Sequence, residues 1–135
     1  MPITAIQIGL DPDVIDCSAA DFAQFPGLTR EKLRAANDDN VAAMRAAGYR
    51  VDNCLVDFGE AGATKARQWL EANRYDAVLI GAGIRLVAGN TLLFEEIVNT
   101  AHVTQPGCRF VFNYAAQSTP DDIRRWYPHP EAVAK

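Results

Sequence analysis

The chain has 135 residues, enough for one domain with a central sheet covered by helices and too few for a second independent core. With 49 % apolar and 22 % charged residues it has the makeup of a folded globular domain, which excludes a disordered chain. A formal charge of -4 gives the surface as a whole no attraction for phosphate backbones or anionic headgroups, so neither a nucleic acid nor a membrane is an expected partner.

Short β-rich runs alternate with longer helical stretches. Thr4 to Gly9, TAIQIG, predicts a first strand, and the excursion from Asp11 to Leu28 exceeds an ordinary βα connection and reads as a folded-over loop or a lid. Thr29 is placed to cap a helix that runs to about Ala47 and stops at Gly48, with Leu33, Ala36, Val41, Met44 and Ala47 as its buried stripe. YRVDNCLVDF, residues 49–58, contains the second strand. Gly59 and Gly62 mark the turn into a helix that runs to about Asn73 and faces Ala66, Trp69 and Leu70 inward.

YDAVLIG, residues 75–81, has the continuous apolar run of a central parallel strand covered on both sides. A glycine-containing loop follows, then a helix with Leu92, Leu93, Ile97, Val98 and Ala101 on its buried side. RFVFNY, residues 109–114, predicts the fourth strand. Thr119-Pro120-Asp121-Asp122 then supplies a cap, a proline for the first turn and acids at the positive end of the dipole, opening a short helix that ends near Tyr127.

This βαβαβαβα order predicts a single three-layer α/β domain over residues 1–135, with an irregular tail at 128–135. Its sheet should be doubly wound and mostly parallel, with about four strands in the order 2-1-3-4, flavodoxin-like or Rossmann-like in winding. The first residues, MPITAIQIGLDPD, have neither a basic n-region nor a long apolar core, and no run reaches the length of a membrane span, so the expected location is cytoplasmic.

Ligands of open α/β sheets sit beyond the carboxyl ends of the strands. The residues expected at that rim are Asp11, Asp57, Gly81, Gly83, Arg85, Asn113 and Tyr114. Asp11 and Asp57 leave neighbouring strands roughly 5 Å apart if strands one and two pair. They can hold a divalent ion, orient a polar ligand or simply cap helices. Arg85 can grip a carboxylate or phosphate, or neutralise those acids. Gly81 and Gly83 permit a tight turn or close backbone approach, Asn113 offers an amide, and Tyr114 can stack on a ring or shield the sheet end.

Several attractive motifs break down. VLIGAG, residues 78–83, would need a glycine at Leu86 to complete a dinucleotide fingerprint, and it lies on the third strand. IGLDPDVI places Asp11 and Asp13 as in a haloacid-dehalogenase-like phosphatase, without the later acids and lysine. A response-regulator receiver needs its acid after the third strand, where this chain has Gly81-Ala82-Gly83. His102 and His129 fall away from the rim, which removes histidine-based triads and zinc sites. Cys17, Cys54 and Cys108 form no disulfide framework, and Cys54 reads as a buried thiol. No cofactor is expected.

Across GLDPDVIDCS, FPGLTREKLRAANDDN, LVDFGE, YDAVLIGAGIR, LLFEEIVN and the Trp126 helix, the chain resembles a group of small uncharacterised bacterial α/β proteins. The resemblance implies one bacterial cytoplasmic domain and carries no activity over to this chain. Three functions remain open from the residues: a small-molecule-binding or regulatory domain, a metal-assisted hydrolase or transferase using Asp11 or Asp57, and a homo-oligomeric interaction protein. For the last, Phe22, Phe25, Trp126 and Tyr127 either pack internally or form the contact.

Overall fold

Alternation in TAIQIGL puts Ile6, Ile8 and Leu10 on one side of a strand and Ala5, Gln7 and Gly9 on the other. In the computed structural model, which describes residues 1–131, that strand is β1 (Thr4–Leu10), and both of its edges are paired. β2 (Arg50–Val56) lies parallel along one edge, β3 (Ala77–Ile80) lies parallel along the other, and β4 (Arg109–Val111) adds in parallel to β3. The sheet order is β2-β1-β3-β4. The chain therefore winds to one side of β1 and then to the other, and the reversal falls between β1 and β3.

The helices are α1 (Arg30–Ala46), α2 (Gly59–Ala72), a single turn α3 (Ala82–Arg85), α4 (Thr91–Thr104) and α5 (Thr119–Trp126). Ile6, Ile8, Cys54, Val56, Val78 and Ile80 pack against Ala66 and Leu70 of α2 and Ile97 and Ala101 of α4. On the opposite face Ala5, Val51, Leu79 and Val111 pack against Val41 and Met44 of α1 and Ile123 of α5. Each large side chain buried in these two layers contributes about 1.5–3 kcal/mol of transfer free energy. The result is the α/β three-layer arrangement with a parallel four-stranded sheet.

Local signals account for most boundaries. Thr29 Oγ1 accepts from the Lys32 amide at 3.1 Å and starts α1, and Gly48, at a φ of 105° that side chains resist, carries the chain out of it. Some details differ from the sequence expectations. The glycine loop after β3 closes into α3. β4 spans three residues, because beyond Val111 the chain turns to meet α5. Ser118 occupies the cap position of α5, and Thr119 is its first helical residue. Leu92 is 74 % exposed on the outer side of α4, so the buried stripe of that helix begins at Leu93.

Gln105, after α4, shows how this fold treats a buried amide. Its Nε2 donates to the Leu70 and Asn73 carbonyls at 2.6 and 2.8 Å, and its Oε1 accepts from the Tyr75 amide at 2.8 Å. One side chain thus closes the end of α2 onto the start of β3. Of the tail expected at 128–135, residues 132–135 lie outside the described residues. The part before them returns to the sheet: Ile3 N–H donates to the Pro130 carbonyl at 2.6 Å, and Pro2 bridges Glu131.

Candidate ligand cavity

At the winding reversal, Gly9 near the end of β1 and Gly81 just past the end of β3 stand side by side. Gly9 and Gly81 both belong to the face covered by α1, since Ile8 and Ile80 point to the opposite face and are Cα partners. Here α1 and α5 do not close over the sheet, and a cavity of about 560 Å³ opens between them. Its floor holds Gln7 and Gly9 of β1, Leu79 of β3 and Gly81 just after it, and Val111 and Asn113 of β4 and its exit. Leu33, Ala36, Asn37 and Asn40 of α1 form one wall.

The excursion from 11 to 28 supplies the outer wall. It folds into two 3-10 turns, Pro12–Val14 and Ala20–Phe22, and turns Ile15, Phe22, Phe25 and Leu28 onto the cavity. Phe22 and Phe25 therefore pack internally, with ring centroids 6.4 Å apart. Few polar ties hold this segment to the rest. Arg30 Nε donates to the Ile15 carbonyl at 2.8 Å, Gln24 Nε2 donates to the Leu86 carbonyl at 2.7 Å, and Arg34 pairs with Asp13 at 2.6 Å on the surface. Within it, Asp16 Oδ1 accepts from the Ser18 hydroxyl and amide, bonds that hold the Asp16 carboxyl below its usual range.

Of the residues expected at the rim, Gly81, Gly83, Arg85, Asn113 and Tyr114 line the cavity. Arg85 reaches from α3 across the end of β3: its Nη1 donates to Asn113 Oδ1 at 2.8 Å and to the Ile80 carbonyl, and its Nη2 donates to the Asn113 carbonyl at 2.7 Å. The guanidinium lies 4.9 Å from the centre of the Phe112 ring, within cation–π range. Burial draws its pKa below the usual arginine value, opposed by the nearby Asp122 carboxylate. Tyr114 is 79 % exposed at the mouth.

Asp11 and Asp57 are adjacent, as the pairing of β1 and β2 requires, with the Asp11 amide donating to the Val56 carbonyl at 2.9 Å. They sit on the β2 side of the switch point and do not line the cavity. Asp11 Oδ1 caps its own 3-10 turn by accepting from the Asp13 amide at 2.9 Å, and Asp57 Oδ1 accepts from the next amide, that of Phe58, at 2.7 Å. Among the described residues no three His, Cys, Asp or Glu side chains gather where one metal ion could bridge them. His102 and His129 are exposed and away from the rim.

Gln7, Asn37 and Asn40 were absent from the rim residues expected from sequence. Gln7 Nε2 donates to Asn37 Oδ1 at 2.9 Å, and Asn40 Nδ2 donates to the Ala116 carbonyl at 2.9 Å, tying α1 to the turn before α5. Gln7 Oε1 is buried and meets no donor among the described residues. The same holds for Oδ1 of Asn53, the Cα partner of Gln7 in β2. Each unmet buried acceptor costs about 1–3 kcal/mol. The sequence signal for this cluster is a glutamine between isoleucines in a central strand, with two asparagines three residues apart on the helix that follows.

Comparison with protein-family models, with curated proteins and with solved structures finds no match to this chain. The likeness that stands is at the level of fold: a doubly wound parallel sheet consistent with the flavodoxin-like and Rossmann-like arrangements.

Proposed function

We propose that this chain is a small-molecule-binding domain whose site is the cavity at the β1/β3 switch point. The observation that carries the reading is the cavity itself, about 560 Å³, walled mainly by apolar side chains with a few amide groups and the Arg85 guanidinium among them. That volume and makeup match sites that enclose small ligands, and the position is the one where doubly wound sheets bind them. The side chains around it include no nucleophile held against a base, so the geometry supports binding and regulation over bond-breaking chemistry. The 11–28 segment, tied by few hydrogen bonds and facing the cavity with Phe22 and Phe25, suits a cover that admits the ligand and closes on it.

Nile red, a neutral planar dye, probes the cavity directly. Saturable fluorescence enhancement is expected in the native protein. It should be lost in Gly9→Val, because a Cβ at Gly9 has open space around it, with nothing but its chain neighbours within 4 Å, and the valine methyls extend from there into the cavity that Gly9 lines. Unchanged enhancement in a folded Gly9→Val protein would remove this site from consideration.

A further inference from the structure

Arg85 is the one charged residue among the described residues that line the cavity, and no carboxylate stands with it there. Elsewhere Arg34, Arg67, Arg124 and Arg125 each meet an aspartate or glutamate within 3.9 Å at the surface. The partners of Arg85 are neutral: the Ile80 carbonyl and the side-chain and main-chain oxygens of Asn113. The Asp122 carboxylate that acts on it is committed to Arg125 and to the Ser118 hydroxyl. A part-buried guanidinium has thus given up hydration without gaining a counter-charge in contact with it.

The donors it has left have a defined shape. Nη1 spends its N–H groups on Ile80 and Asn113, and Nη2 spends one on Asn113. Nε–H and the second Nη2–H meet no acceptor among the described residues. Nε and Nη2 share one edge of the guanidinium, where two parallel N–H groups match the two oxygens of a carboxylate. Phe112, with its ring centre 4.9 Å from Cζ, and the Asn113 bonds hold the group in one orientation. The fork is therefore set before a ligand arrives, which lowers the cost of binding.

The rest of the space offers little to a second charge. Gln7 meets Asn37, Asn40 meets the Ala116 carbonyl and Asn113 Nδ2 meets the Ala115 carbonyl, so these amides are turned largely to the protein itself. Leu10, Ile15, Phe22, Phe25, Leu28 and Leu33 make much of the remaining wall apolar. The open space at Gly9 gives the body of a ligand room against the sheet.

We propose that the cavity takes a monocarboxylate with an apolar body, its carboxylate paired with the Nε and Nη2 edge of Arg85 and its body lying over Gly9 against Phe22 and Phe25. This deepens the reading of the cavity as a ligand site and rests on it. A single unpaired cation sets the head group at one negative charge, so a dicarboxylate, a phosphate monoester and a neutral alcohol of the same length are each poorer ligands.

Calorimetric titration of the full chain with octanoate, 1-octanol, octanedioate and octyl phosphate tests the head group, and butanoate tests the body. Octanoate should bind at least about tenfold tighter than each of the other eight-carbon compounds. It should exceed butanoate by at least about tenfold, because its longer chain buries more apolar surface. Asn113→Asp keeps an acceptor at Nη1 and supplies Arg85 with a counter-charge from within. The preference for octanoate over 1-octanol should then fall by at least about tenfold, and Arg85→Met should abolish it. Cooperative urea unfolding identifies the variants that are folded, and the native comparisons decide without them. Butanoate or 1-octanol equal to octanoate, tighter binding of octanedioate or octyl phosphate, no octanoate binding at millimolar concentration, or a preference that survives both substitutions would each overturn the ligand class. In all of these results the cavity reading stands if Gly9→Val still abolishes Nile red binding. A folded Gly9→Val protein that keeps both the dye and octanoate removes the cavity, and the monocarboxylate site with it.

Discussion

Arg85 grips Asn113 twice, through the side-chain oxygen at 2.8 Å and the main-chain carbonyl at 2.7 Å, and so ties the turn after β3 to the exit of β4. In a sheet whose fourth strand is only three residues long, this clamp holds the cavity rim in place of further strand pairing. Arg85→Ala removes these charge-assisted bonds and leaves the Ile80 and Asn113 carbonyls to find other partners. The expected loss is about 2 kcal/mol in denaturant unfolding. Amide exchange should accelerate at residues 112–116 before it does in β1. An unfolding midpoint equal to that of the unaltered protein would refute the clamp.

Two glycines should respond in opposite directions to the same substitution. A Cβ on Gly62, in the first turns of α2, would lie 1.9 Å from the Asp57 carbonyl oxygen, so Gly62→Ala forces the helix away from the end of β2 despite the better helix propensity of alanine. A loss of about 1–3 kcal/mol, the usual scale for overpacking, is expected. Gly9→Ala meets no obstruction and restricts the unfolded chain, so thermal unfolding should show it neutral or stabilised by up to about 1 kcal/mol.

The contrast between these positions shows what was legible in the residues alone. TAIQIG, the Thr29 and Gly48 signals, and the VLI run of β3 are local patterns tied to local conformation, and they located the elements and the side of the sheet where a site would lie. Gly81, Gly83, Arg85, Asn113 and Tyr114 followed, because strand ends are fixed once the strands are. Gln7, Asn37 and Asn40 did not. A single glutamine alternating with isoleucines reads as the solvated face of a strand, and NDDN reads as the polar side of a helix. Only the way α1 sits over β1 turns them toward one space. Asp11 and Asp57 drew attention as a pair of acids, yet the winding reversal that forms the cavity lies on the other side of β1. Ser118 in place of Thr119 at the start of α5 is a one-residue shift that depends on the buried contacts of the Ser118 side chain.

Those contacts set up the next prediction. Asp122 is fully buried, accepts from the Ser118 hydroxyl at 2.6 Å and pairs with Arg125, while the same hydroxyl accepts from the Tyr114 and Ala115 amides at 3.2 Å. Asp122→Ala takes one acceptor from the hydroxyl, which keeps the Ala115 carbonyl at 3.0 Å, and one from the half-exposed guanidinium, which keeps the Phe112 carbonyl at 3.0 Å, and should cost about 1–3 kcal/mol in chemical denaturation. Asp122→Asn keeps an acceptor and should cost less. Because this network sets the turn that closes the cavity against α5, proteolysis of the alanine variant should begin between residues 113 and 118. Cleavage elsewhere first would show that the turn does not depend on Asp122.

Cys54 gives a sign that can be checked with pH. It is fully buried in β2 against α2, and burial pushes its thiol up to about 11, with Lys65 opposing and Asp52 adding to the rise. The folded state therefore holds this proton more tightly than the unfolded chain. The stability this contributes is complete below the ordinary value of 9.0 and is lost as pH rises through the interval up to about 11. Tyr75, raised mainly by burial and by its bond to Asp52, acts in the same direction at higher pH. Urea unfolding between pH 8 and 11 should show stability falling, with a shallower fall in Cys54→Val, which retains the packing and has no proton to lose. In the native protein a thiol reagent should titrate Cys17 and Cys108, which are only partly covered, and reach Cys54 only after unfolding. A Cys54 thiol that reacts at the same rate as Cys17 at pH 8 would mean that β2 opens far more readily than its position beside the central strand allows.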